Sequence, residues 1–544
     1  MKKLISVLLV MLLLCGCSAP AAEVPATEAA PTAPAEPVVI PETPEIPYES
    51  RFSGETLIRL SDEGLDVSGS NSLTVFASND IIYYEDRDAY ESGNPYGEGE
   101  ADDKHTVEEA EAHTVVNITA PGAYRITGKL SAGQIRIDLG DDAYDDPNAV
   151  VELILDNADI TCTVAPAILF LNVYECDGNW SEDTAQADVD TTAAGANLVL
   201  QGENTVSGSY VAKIFKDKDG EKKLWKQDGA IYSYMSMNVF GPGALTLNAA
   251  NEGMDTELHL TVNGGDIAIL SGNDGINTNE DNVSVTTINA GTIHIVAGLG
   301  AEGDGIDSNG YLVINGGTVI SAAKPKSDSG LDSDKGSFIH GGIVIAFGAA
   351  MDWAESDSRQ VTMNLQFRQK QEGALQITRE DGTPVFSFDP TADLVLKEYS
   401  RGFQGAVISS PAFQVADSYH VFSDGVQMVY TSTDVMRGPG SFGNMKPENF
   451  EGFGDKMPEG FEGFGDKMPE GFEGFGDKMP EGFEGEMPTW PNGEMPTPPG
   501  GDGPSRPEGD FGGKRDPSMG TGKGSTLFYM QDKVNFFSGL TAAE

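Results

Sequence analysis

The chain has 544 residues, with 85 Asp and Glu against 34 Lys and Arg, and a net charge of −51. That acid excess repels a phosphate backbone, so nucleic acid is excluded as a partner, while solubility and attraction for cations follow from it. No phosphate loop, His-Glu-x-x-His pair or serine elbow occurs in the sequence, which removes the commonest nucleotide-binding, zinc-peptidase and serine-hydrolase readings.

Residues 1–17 read as an export segment. Lys2 and Lys3 form its basic start, and Leu4–Leu14 its apolar core, too short to span a bilayer comfortably. It ends Leu14-Cys15-Gly16-Cys17, which resembles the bacterial lipobox. The resemblance implies cleavage before Cys17 and acylation of its thiol, giving an exported lipoprotein anchored in the cell membrane on the cell surface. An ordinary secretory signal cut near Ala19 or Ala22 is the alternative, and it too exports the protein. Residues 18–48 form a tether rich in Pro and Ala, which such composition keeps extended.

From residue 49 to 360 the pattern predicts a β domain. Val115–Ile118, Gln134–Asp138 and Val151–Asp156 alternate as half-buried strands do. The acidic runs 86–111, 141–146 and 177–190 read as solvated loops. Cys162 and Cys176 are the cysteines left after export, and an exported setting allows either a disulfide or two buried thiols. Residues 213–226 carry six lysines around Asp219-Gly220, the signature of a protruding hairpin. Lys222, Lys223 and Trp225 on it are candidate sugar contacts, with a merely decorated surface as the alternative.

Residues 228–348 organise the chain. The tetrads Gly253-Met-Asp-Thr, Gly275-Ile-Asn-Thr, Gly305-Ile-Asp-Ser and Gly330-Leu-Asp-Ser each lead through an apolar stretch to a second glycine. Those glycines, Gly265, Gly291, Gly317 and Gly342, are spaced 26, 26 and 25 residues apart. Val262, Ile288, Ile314 and Ile339 precede them in register, and Ile267, Ile293, Val319 and Val344 follow. Columns at one period mark a repeat. Short β-branched strands with no helical period predict an all-β right-handed parallel β-helix, a solenoid whose rungs stack roughly 4.8 Å apart.

Stacking should superpose Asp255, Asn277, Asp307 and Asp332 in one column, and Glu252, Asp274 and Asp304, with Asp328 near its end, in another. Two bare carboxylates about 4.8 Å apart repel by roughly 3–4 kcal/mol at an effective dielectric near 20. A ladder of hard oxygens therefore suits calcium, which takes six to eight such ligands. Read singly, each Asp or Asn beside glycine is also an ordinary turn former.

Residues 361–436 change to hairpin patterns and predict a C-terminal β cap. Residues 437–524 are low in complexity, with FGDKMPEGFEG recurring at Phe453, Phe464 and Phe475. Their Gly and Pro forbid helix, so disorder is expected. Residues 525–544 turn apolar again and are expected to return to the cap as strands.

Of the six histidines, His259 and His294 lie inside strands and read as surface or core residues, and no nucleophile constellation emerges. Val151–Asn157, Asn197–Ser207, the repeats through Phe347 and Ala374–Phe388 together resemble a bacterial family of cell-surface carbohydrate-binding proteins. The resemblance covers about residues 110–430 and the terminal strands. It implies a right-handed parallel β-helix that binds calcium, cellulose and pectin-type acidic polysaccharides, with Asp274, Asp304, Asp307, Asp328 and Asp332 as calcium ligands. Asn277 replaces Asp in its rung, Ile231 stands there in the rung before Asp255, and the tail repeats lie outside the family pattern. A calcium-dependent polysaccharide lyase is the enzymatic alternative, with Lys324 or Lys326 as the base that such chemistry demands. An adhesin that takes a protein ligand is a third.

Overall fold

Glycine sets the corners of each repeat. Gly265, Gly291, Gly317 and Gly342 all have φ between 78° and 100°, a region closed to most L-residues. Each of the last three also lies against the glycine before it: a Cβ on Gly291 would stand 2.8 Å from the Gly265 carbonyl oxygen. The strands between these corners are β-branched and lie side by side in parallel. Val262 pairs with Ile288, Ile288 with Ile314, and Ile314 with Ile339. Ile267, Ile293, Val319 and Val344 form the companion column. Every member of both columns is buried, at about 1.5–3 kcal/mol each by the usual transfer scale.

The computed structural model describes residues 46–81, 105, 107–211, 214–216, 222–224, 227–300, 302–325, 327–349, 352–393, 395–399, 401–433 and 524–543. The chain is all-β apart from a five-residue helix, Val107–Glu111, and short 3-10 turns. Among the described residues the strands join a 22-stranded sheet, an eight-stranded sheet and a two-stranded ribbon.

This arrangement corrects the expected right-handed β-helix. A uniform solenoid would be parallel throughout, yet both larger sheets mix parallel and antiparallel pairs. In the eight-stranded sheet Val75–Ser78 runs antiparallel to Thr114–Ile118, and parallel neighbours follow up to Ile306–Ser308. In the large sheet the parallel run ends at Ile343–Gly348, which pairs antiparallel with Phe403–Ser409. That strand in turn pairs antiparallel with Thr362–Gln371. The reason is the edge: a parallel ladder leaves an open row of backbone donors and acceptors, and the chain covers it with hairpins outside the repeat period.

Those hairpins carry their own apolar cluster, in which Phe347 stacks on Phe403 at 4.3 Å between ring centroids. Phe528–Tyr529 pairs with Ser418–Ser423, and Val534–Ala542 runs parallel to Thr362–Gln371. The His294 imidazole pairs with Asp393 at 3.3 Å, tying the repeat to this end. Ile214–Lys216 and Lys222–Leu224 form the antiparallel ribbon. Cys162 is a buried free thiol and Cys176 a half-buried one. Burial pushes the first up to about 11, and burial with the Glu175 charge pushes the second up to about 12. The signal segment, the tether through residue 45 and the tail repeats lie outside the described residues.

Candidate functional site

The eight-stranded sheet stacks the acidic residues. Its register places Asp255 beside Asn277 and Asn277 beside Asp307. The Ile306–Leu331 bridge continues the alignment to Asp332. The glycine of each tetrad is needed because adjacent rungs close on one another there. A Cβ on Gly275 would meet Ile295 Cγ2 at 2.3 Å and the Gly305 oxygen at 2.5 Å. Asp255 is aligned with Tyr232 in the preceding strand rather than with Ile231.

The second column is bound through the backbone. Asp304 N donates to Asp274 Oδ1 at 2.7 Å, and Ser329 N donates to Asp304 Oδ1. Asp328, one residue out of step, accepts from Gly303 N at 2.9 Å. Between the columns Asn277 Nδ2 donates to Glu252 Oε2 and to Asn279 Oδ1, each at 3.2 Å. Asn279 Nδ2 donates to Asp255 Oδ1 at 2.6 Å.

Two features single out one end of this row. Carboxylate oxygens of Asp228, Glu252 and Asp255 lie within 4.8 Å of one another, and all three residues are buried. Close by, Asn277 Oδ1 is buried with no hydrogen-bond partner. At the other end Asp304, Asp307, Asp328 and Asp332 are only half-buried. The electrostatics match the crowding. Burial, then Glu252 and Asp307, push the Asp274 carboxyl up to about 9. Burial, then Asp332, push Asp304 up to about 8, and burial with Asp334 pushes Asp332 up to about 6. Asp352, which accepts from Ser333 Oγ at 3.2 Å, rises to about 7 through burial and the charge of Asp332. Such carboxyls hold protons unless a cation takes their place.

The structure thus brings together Glu252, Asp255, Asp274, Asn277, Asp304, Asp307, Asp328 and Asp332. Asp228 and Asp352 join them although the repeat pattern did not select them. Asp228 had a signal, since Asp228-Gly229 repeats the acid-glycine step of Asp274-Gly275. Asp352 follows the last repeat, so no period points to it. Lys324 donates from Nζ to the Gly300 carbonyl oxygen. Lys222 and Lys223 lie on the ribbon, and their side chains, like Trp225, Lys326 and Cys17, are outside what is described. His259 is buried, with Nε2 3.2 Å from Asp177 and Nδ1 accepting from Val285 N at 3.1 Å, a structural role.

The family model of a carbohydrate-binding domain-containing protein matches residues 112–384, just over half of the chain. A similar solved structure is described as that of the polysaccharide lyase-like protein from C. thermocellum, gadolinium derivative. The two share 19% identity over 55% of this chain and 93% of that chain, with a TM-score of 0.34. No curated protein matches.

Proposed function

The chain belongs to the carbohydrate-binding domain-containing protein family, and from that premise we propose an exported, lipid-anchored protein that binds polysaccharide with calcium held along its acidic row. The observation that carries the metal is the convergence of Asp228, Glu252 and Asp255 within 4.8 Å, all of them buried. Three carboxylates that close repel one another, and a cation among them removes the repulsion. The donor set fits calcium, since it is all carboxylate oxygen. An ion here is sealed from solvent and would serve to neutralise and rigidify the row.

The half-buried end has a different use. Asp304, Asp307, Asp328 and Asp332 reach solvent, so a cation among them could be shared with a ligand. A chain of net charge −51 repels polygalacturonate, and a shared calcium removes that repulsion. Binding of a pectin-type acidic glycan therefore requires calcium, whereas binding of neutral cellulose does not. Lys222 and Lys223 on the ribbon, with Trp225 shortly after them in sequence, are proposed as additional sugar contacts. Acylation of Cys17 would hold the protein at the membrane of an exporting cell.

The test is retention of the exported chain on immobilised polygalacturonate, in calcium and in chelator, while absorbance of unsaturated uronate is followed. Calcium-dependent retention without new absorbance supports binding. Absorbance that grows in calcium and vanishes in Lys324→Ala would make the chain a lyase instead. Equal retention in calcium and chelator would sink the metal reading.

A further inference from the structure

A second surface lies away from the acidic row, on the outer face of the large sheet. Thr287, Val313 and Phe338 are aligned across three parallel strands. Two residues further along each strand come Asn289, Asn315 and His340. With the Ala187–Val189 loop opposite and Asp357 and Arg359 at one end, they enclose a cleft of about 380 Å³. That lies within the range of roughly 300–1,000 Å³ typical of small-molecule sites.

We propose that this cleft is a binding subsite for an uncharged sugar ring and that it works without a metal ion. The inference rests on the carbohydrate-binding reading and adds to it a place and a ligand class.

Three observations support it. The first is a polar ladder that stops short. Asn289 Nδ2 donates to Asn263 Oδ1 at 2.9 Å, and Asn315 Nδ2 donates to Asn289 Oδ1 at 2.8 Å. The ladder thus ends on Asn315, which is exposed and lines the cleft. His340, next in the column, has a buried Nδ1 with no hydrogen-bond partner. A ligand hydroxyl both donates and accepts, so it can extend the ladder from the exposed end at Asn315.

The second is the half-exposed ring of Phe338. Its centroid lies 6.4 Å from the Tyr311 ring and 6.3 Å from the His340 ring. A strip of tilted rings along one sheet face offers an apolar surface suited to the C–H face of a pyranose. The third is charge. Asp188 and Asp357 outnumber Arg359, while burial and Arg359 hold His340 below its ordinary value and so uncharged. An anionic uronate would meet net repulsion, whereas a neutral polyol finds carboxylate and guanidinium groups that pair with vicinal hydroxyls.

The experiment is calorimetry on the full exported chain in EDTA, with cellohexaose, xylohexaose and mannohexaose as neutral probes and hexagalacturonate as the acidic one. At least one neutral hexasaccharide is expected to bind in EDTA. Phe338→Ala is expected to weaken it about tenfold or more, and Asn315→Ala and Arg359→Ala, at exposed positions that the fold tolerates, each several-fold. Failure of every neutral probe to bind in EDTA, or unchanged affinity in all three variants, overturns the proposal. Hexagalacturonate binding in calcium is read separately. Its loss would count against the acidic row and leave the cleft standing.

Discussion

Replacing Asp274 by Asn removes one charge from the middle of the acidic row while keeping an oxygen for the Asp304 amide, which donates to it at 2.7 Å. A neighbouring carboxylate one rung away, about 4.8 Å, repels it by roughly 3.5 kcal/mol at an effective dielectric near 20. Burial and the Glu252 charge accordingly raise its carboxyl to about 9. The metal-free native state then holds a proton that the unfolded chain has already released. Its contribution to stability is fully present below about pH 4 and drains away until the pH reaches the raised native value. The slope is at most about 1.4 kcal/mol per pH unit, and shared proton uptake with Asp304 lowers it. In EDTA, D274N should therefore match the parent near pH 4–5 and exceed it at higher pH, by on the order of 3 kcal/mol near pH 8. Calcium should reverse the order, because the ion stabilises only the chain that still offers the carboxylate. Thermal melts in EDTA and in calcium, near pH 5 and near pH 8, measure all four quantities. If D274N melts below the parent in EDTA at high pH, or calcium shifts both chains equally, the row is not a cation site.

Four further outcomes follow from the packing and the electrostatics. Gly291→Ala places a Cβ 2.8 Å from the Gly265 oxygen at φ +90°, and should cost more than about 1–3 kcal/mol; a denaturant midpoint unchanged from the parent would refute the close-approach argument. Ile288→Ala empties a fully buried position in the column and should lose about 2–5 kcal/mol with an unchanged denaturant slope. In chelator the whole protein should lose stability as pH rises from about 4 to 9, since Asp274, Asp304, Asp352 and Asp332 are all raised. A flat melting profile over that interval would contradict the raised values. Finally, Cys162 and Cys176 should react as two thiols after unfolding without reductant, and as none on a short timescale in the native state, because burial raises both; a mass two units lower, restored by reductant, would reveal a disulfide.

Much of the site was legible as spacing. Asp274 and Asp304 fall into contact because both sit one residue before the glycine of a tetrad, and the strands that follow those glycines pair in parallel. Asp328 was legible only approximately: it sits two residues before Gly330, so Ser329 takes the place next to that glycine, against Asp304. Asp352 carries no periodic mark, and its approach to Ser333 depends on how the chain leaves the last repeat. The cleft was invisible, because its walls come from the loop at 187–189 and strands about a hundred or more residues later.

Local chemistry by itself determined that this chain is built of short β-strands turned at glycine, with Ile and Val in columns and carboxylates in rows. Those properties depend on backbone conformation at single residues and on a two-residue side-chain period, both of which a sequence states directly. Only the tertiary structure decided how the rows end. It paired the last strand of the parallel run antiparallel with Phe403–Ser409, so that the hairpins expected as a separate cap continue the same sheet, since an exposed sheet edge must find partners from whatever chain remains. It also decided which carboxylates became buried together at Asp228, Glu252 and Asp255 and which stayed half-open to solvent at the far end, because burial is a property of the neighbours that cover a residue and not of the residue's place in a repeat.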